Sequence, residues 1–138
     1  MELELERELK IHQSVPCVSI VLPTQRTSPG RRVDPPRLKK IISNAKKLLK
    51  EKYGSVGEKI FPQLDHLNEE INFLENQAAL GLYLSPNFTR IIRFDFPVDE
   101  KITVGEHFEI REVLQLKQQQ IRYYFLSLSK RSEEHTSE

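Results

Sequence analysis

Between Arg26 and Lys52 the chain carries ten basic side chains, Arg26, Arg31, Arg32, Arg37, Lys39, Lys40, Lys46, Lys47, Lys50 and Lys52, against only Asp34 and Glu51. The whole chain has 21 Lys and Arg, 20 Asp and Glu, and a formal net charge of +1, so the residues outside this stretch are acidic in sum. Cations gathered in this way attract phosphates: arginine offers a planar fork for two oxygens, lysine a compact point charge. The expected chemistry is salt-sensitive contact with a nucleic-acid backbone, not bond making. The expected contact set is Arg26, Arg31, Arg32, Arg37, Lys39 and Lys40, and Lys39, Lys46 and Lys50 with Arg32 or Arg37 are spaced to line one face. The competing reading is a solvated helix surface, since lysine is common on the outer side of amphipathic helices.

Other chemistry lacks its residues. The chain has no Gly-rich phosphate loop, no nucleophile elbow, no His-Glu-x-x-His and no paired cysteines, the patterns that carry phosphoryl transfer, acyl transfer and zinc binding. His12, His66 and His107 fall in different expected elements, without metal-ligand spacing. Asp65 and His66 are neighbours on an expected helix, where side chains point about 100° apart, a poor arrangement for a base and its orienting group. No catalytic residue, metal, cofactor or small-molecule substrate is therefore expected. The aromatics Tyr83, Phe88, Phe94, Phe96, Tyr123, Tyr124 and Phe125 are candidates for stacking on bases. They sit beside Leu and Ile in extended segments, however, and the basic stretch has no aromatic apart from Tyr53 at its end, so core packing is their expected use.

The elements that must position the basic residues follow from periodicity. Hydrophobic residues at 38% and charged residues at 30% fit an ordinary globular chain and exclude the disordered and membrane classes. No apolar run approaches the roughly 20 residues of a membrane span, and the acidic start is unlike a signal peptide. The single cysteine, Cys17, lies in an apolar run and has no disulfide partner, which fits a cytoplasmic protein with Cys17 packed as a small hydrophobe. Residues 2–12 read as an amphipathic helix with Leu3, Leu5, Leu9 and His12 leaning on the domain. Val15 to Leu22 is mostly apolar and β-branched, the pattern of a buried strand. Pro23 to Arg32 then forms a basic loop.

Asp34 as an N-cap, Pro35 in the first turn and Gly54 as a stop bracket a helix over 35–53. Its apolar stripe is Leu38, Ile41, Ile42, Ala45, Leu48 and Leu49. Ser55 and Glu58 have capping-box spacing before a second helix with Leu64, Leu67, Ile71 and Leu74 inward. Ala79 to Leu84, Thr89 to Phe96 and Lys101 to Phe108 read as strands of an antiparallel meander, 109–120 as a short helix or connection, and Tyr123 to Ser129 as a final strand. The expected fold is a single α/β domain over 13–130, preceded by the 1–12 helix, with a mixed sheet, packed helices and the order α-β-α-α-β-β-β-α-β.

The last eight residues, Arg131-Ser132-Glu133-Glu134-His135-Thr136-Ser137-Glu138, are the translation of AGATCGGAAGAGCACACGTCTGAA, the first bases of a widely used sequencing adapter. They are set aside from the fold reading as an artefact, and the domain is expected to be cut short at its C-terminal side.

Several motifs occur in a recognisable order: Pro16-Cys17-Val18-Ser19-Ile20-Val21-Leu22-Pro23-Thr24-Gln25-Arg26, then Asp34-Pro35-Pro36-Arg37-Leu38-Lys39, Ala79-Leu80-Gly81-Leu82-Tyr83-Leu84-Ser85-Pro86, Phe96-Pro97-Val98, and Tyr124-Phe125-Leu126-Ser127-Leu128-Ser129. Together they span nearly all of residues 11–130 and resemble the N-terminal domain of the bacterial archaeo-eukaryotic release factor family, most closely its third subgroup. Val21-Leu22 and Gln25 depart from the aromatic and His usual in the first of these motifs. The resemblance implies a cytoplasmic, ribosome-associated module in translation termination, ribosome rescue or hibernation, with rRNA or tRNA as partner and no membrane. The Gly-Gly-Gln with which release factors promote peptidyl-tRNA hydrolysis does not occur, so that chemistry is not assigned to this chain. The alternative expectation is a protein-protein interaction or scaffold domain of a multidomain cytoplasmic stress protein.

Overall fold

The computed structural model describes residues 3–24, 34–71 and 78–136. In chain order the elements are α1 (Leu3–Ile11), β1 (Cys17–Pro23), α2 (Asp34–Tyr53), α3 (Ser55–Glu58), α4 (Phe61–Glu70), β2 (Ala79–Ser85), β3 (Phe88–Phe94), β4 (Lys101–Gly105) and α5 (Arg111–Thr136). The expected α/β class, with helices packed on one sheet, is what the chain forms.

The four strands lie in the order β3-β2-β1-β4, and every neighbouring pair is antiparallel, with Val21 opposite Gly81 on one side and Lys101 on the other. The sheet is thus antiparallel throughout, where a mixed one was expected. The meander is also only half formed. β2 and β3 make a hairpin, but β4 crosses the end of the sheet to pair with the free edge of β1, giving the strand order of a Greek key.

Strand alternation divides the core in two. Val18, Ile20 and Leu22 of β1 and Leu80, Leu82 and Leu84 of β2 face α2 and α4, meeting Leu38, Ile41, Ala45, Leu49, Ile60, Leu64 and Leu67. Cys17 and Val21 of β1 and Ala79 and Tyr83 of β2 face α1 and α5, meeting Leu5, Leu9, Phe108, Val113 and Leu116. Helices therefore cover both faces of the two central strands, which explains why β1 is buried from Cys17 to Leu22 and apolar there apart from Ser19. Cys17 packs here as expected, and burial pushes its thiol pKa up, while the thiol donates to the Ser14 carbonyl at 3.2 Å.

Three local expectations need correction. Leu48 lies off the α2 stripe and is 40% exposed, because it is turned about 80° from the middle of the arc through Leu38, Ile42, Ala45 and Leu49. Ser55 and Glu58 make no capping box: Gly54 occupies the N-cap position without a side-chain bond, and Glu58 lies 4.0 Å from Lys50 instead. Most importantly, the expected strand over Tyr123 to Ser129 is part of α5, which runs unbroken from Arg111. No Gly or Pro interrupts that stretch, and aromatic residues weaken a helix by only about 0.5 kcal/mol each. Leu74, expected inward, is outside the described residues.

Two side chains make specific predictions about stability. Gln63 of α4 holds the β2–β3 turn: its Nε2 donates to the carbonyls of Ser85 (2.9 Å) and Phe88 (2.8 Å), and its Oε1 accepts from the Asn87 N–H. Asn87 is left-handed, with φ 63°, a conformation asparagine tolerates. Gln63→Leu keeps the bulk and removes these bonds, so urea unfolding should show a loss of about 2 kcal/mol; an unchanged midpoint would mean the turn holds itself. Tyr83 is fully buried, and its hydroxyl has no hydrogen-bond partner among the described residues. Burial, then the nearby carboxylates of Glu112 and Glu109, raise its pKa. Tyr83→Phe should therefore be more stable by about 1 kcal/mol. A less stable variant in thermal melts would show that the hydroxyl is satisfied in solution.

Candidate nucleic-acid interface

The helix α2 places its basic side chains by simple geometry. Each residue advances the side chain about 100° around the axis, and the buried arc is fixed by Leu38, Ile41, Ala45 and Leu49 against the sheet. Lys40 and Lys47, seven residues apart, then share the outward meridian, separated by about 10 Å along the axis. Lys39, Lys46 and Lys50 follow on the flank toward α3 and α4, where Lys46 pairs with Asp65 and Lys50 lies 4.0 Å from Glu58. Arg37 and Lys52 occupy the opposite flank, toward the sheet.

Of the six residues expected to contact phosphate, Arg26, Arg31 and Arg32 are outside the described residues. Arg37 is half-buried, and its Nη1 donates to the Pro23 carbonyl at 3.3 Å, so it is tied to the end of β1 and turned away from Lys39. Lys39 and Lys40 are exposed and form no ion pair or hydrogen bond with the described residues, the pairs on this helix being made by Lys46, Lys50, Lys52 and Arg37. Lys47 shares this state, although it stood outside the expected six. Its signal was in the sequence: a spacing of seven from Lys40 is nearly two full turns.

The two flanks are chemically different. Lys46 sits over the Phe61 ring, 5.5 Å from its centroid, as well as beside Asp65. On the other flank, the Lys52 ammonium donates to the Val104 carbonyl of β4 at 2.8 Å and lies 6.0 Å from the Tyr53 ring centroid. Such exposed or half-exposed ion pairs hold their cations by at most about 1 kcal/mol, so a phosphate can compete for Lys46 and Lys50. Lys39, at the edge of the first flank, forms with Lys40 and Lys47 a crest that needs no such exchange among the described residues.

No other group of the described residues converges in the same way. Among the described residues no group of three or more His, Cys, Asp or Glu is placed to hold a metal ion. Asp65 turns to Lys46 while its neighbour His66 turns to Glu69, 3.5 Å away, the divergence expected of adjacent helix positions. His12 lies flat on Phe88, with ring centroids 4.3 Å apart and planes 7° from parallel. Hydrogen bonds from Lys117 and then Lys10 hold the Glu6 carboxyl below its ordinary pKa, linking α1 to α5. No helix among the described residues is long and apolar enough to cross a membrane. Compared with protein-family models and with curated proteins, the chain matches none.

Proposed function

We propose that the chain is an RNA-binding module that associates with the ribosome, and that it docks through the α2 crest on the phosphates of rRNA or tRNA. In this reading it works in translation termination, ribosome rescue or hibernation, as the resemblance to the archaeo-eukaryotic release factor family implies, and contributes binding rather than catalysis. The observation that carries the RNA contact is the set Lys39, Lys40 and Lys47: three exposed lysines that form no ion pair or hydrogen bond with the described residues, on one side of a helix whose other side is locked into the core. Ligand-free lysines at fixed spacing suit a polyanion. The experiment is sedimentation of the chain with purified ribosomes and with rRNA across a salt series. Three to five phosphate contacts give an affinity that falls between roughly 40- and 500-fold from about 50 to 200 mM salt. Absence of binding at the lowest salt would overturn the proposal.

One observation favours a second reading, a protein-docking domain. On α5, Ile121, Tyr124 and Phe125 are 42 to 64% exposed, large apolar side chains that share one arc of the helix, with the 63% exposed Leu126 turned away from them. Apolar docking is insensitive to salt where phosphate contact is not. Ribosome binding that survives high salt and is lost on Tyr124→Ala with Phe125→Ala would favour this reading.

A further inference from the structure

Resting on the RNA-binding reading, we infer that the α2 face takes double-helical RNA, through its phosphates alone, in preference to single strands. Single-strand binders combine a basic track with aromatic rings on which bases stack, each base contributing about 1–3 kcal/mol. The α2 face has the track without the rings. Its nearest aromatics, Tyr53 and Phe61, are half-buried against the core, and the chain's own lysines cover them: Lys52 lies 6.0 Å from the Tyr53 centroid and Lys46 5.5 Å from that of Phe61. Phe88, at the turn between β2 and β3, is taken up by His12 at 4.3 Å. The exposed aromatics among the described residues, Tyr124 and Phe125, belong to α5, which packs on the other face of the sheet through Val113 and Leu116. A base splayed out of a strand bound on α2 thus finds no open Phe or Tyr ring beside it among the described residues.

The rigidity of the crest acts in the same direction. The backbone anchors of Lys40 and Lys47 are held about 10 Å apart along the axis by the helix itself, and the helix is held by Leu38, Ile41, Ala45 and Leu49, all at most 1% exposed. A duplex presents its phosphates at fixed spacing and has already lost its backbone freedom. A flexible strand must be ordered on binding, and here no stacking offsets that cost. Double-stranded RNA is read largely through its backbone and shape, and lysine point charges discriminate little between sequences.

The test compares a duplex of about 20 base pairs with oligouridine of equal length, by fluorescence anisotropy at about 50 mM salt. The duplex should bind at least about 10-fold tighter, with G·C-rich and A·U-rich duplexes equal within about twofold. Oligouridine affinity should be unchanged by Tyr124→Ala with Phe125→Ala, two exposed positions whose loss leaves the core intact. Equal or tighter binding of oligouridine, or its loss in that variant, would overturn the duplex preference while leaving the RNA-binding reading standing. Binding of neither RNA at low salt would overturn both.

Discussion

Reversing the three cations of α2 that are unpaired among the described residues, with Lys39→Glu, Lys40→Glu and Lys47→Glu combined, should reduce RNA affinity at about 50 mM salt by at least 100-fold and make the salt dependence shallower by two to three in log-log slope. The slope is the more telling quantity, because it counts the counterions that phosphate contact displaces and is indifferent to any uniform change in affinity. Folding should survive. The three side chains are exposed and form no ion pair or hydrogen bond with the described residues, so the variant's unfolding free energy should move by no more than about 1 kcal/mol, even with the new like-charge pair between positions 47 and Glu51. The flanks make the opposite test. Asp65→Asn frees Lys46 from its carboxylate, and affinity should rise by about two- to threefold, the scale of an exposed ion pair. A triple variant with unaltered slope would show that the crest is only solvated surface and that any RNA contact lies elsewhere.

The sequence carried the inner half of this architecture better than the outer half. β1 was legible because an apolar, β-branched run without alternation has only one comfortable place, between two layers of helices, and the structure puts it there. α2 was legible from its stripe and from Gly54, yet Leu48 was misplaced within it, since a leucine near the border of an apolar arc satisfies the pattern without being buried. Tyr123 to Ser129 shows the opposite error. Its composition favours a strand, but a strand needs a neighbour, whereas the helix entering from Arg111 meets no residue that stops it. The path of β4 was beyond reach because it depends on which sheet edge the connector crosses to, a question of tertiary packing. At the site, the sequence located the basic helix but could not rank its cations. Arg37 and Lys40 are three apart and look equivalent as letters; only the Pro23 carbonyl, brought close by the end of β1, separates a tethered arginine from a free lysine.

The largest effect on stability should come from Gly57→Ala, and its sign opposes what helix propensity alone gives. Replacing a helical glycine by alanine ordinarily stabilises by up to about 1 kcal/mol. Here the short helix α3 lies so close to α2 that an added Cβ would collide with the Leu49 carbonyl oxygen and stand 2.8 Å from its carbonyl carbon. Backbone cannot rotate out of the way as a side chain can. Relief requires α2 and α3 to part, and Leu49, Ile60 and Leu64, all fully buried, would lose contact as they do. The expected loss is about 3 kcal/mol, at the upper end of overpacking costs. Gly54 supplies the comparison within the same turn. Its φ of 57° with ψ of −129° is a combination that L side chains rarely adopt, but an added Cβ there meets nothing within 4 Å, so Gly54→Ala should cost only backbone strain of about 2 kcal/mol. Denaturant unfolding of the two variants orders them directly. If Gly57→Ala were the more stable of the pair, α3 would not be seated against α2 as described, and the lysine crest would lose the packed helix that fixes its spacing.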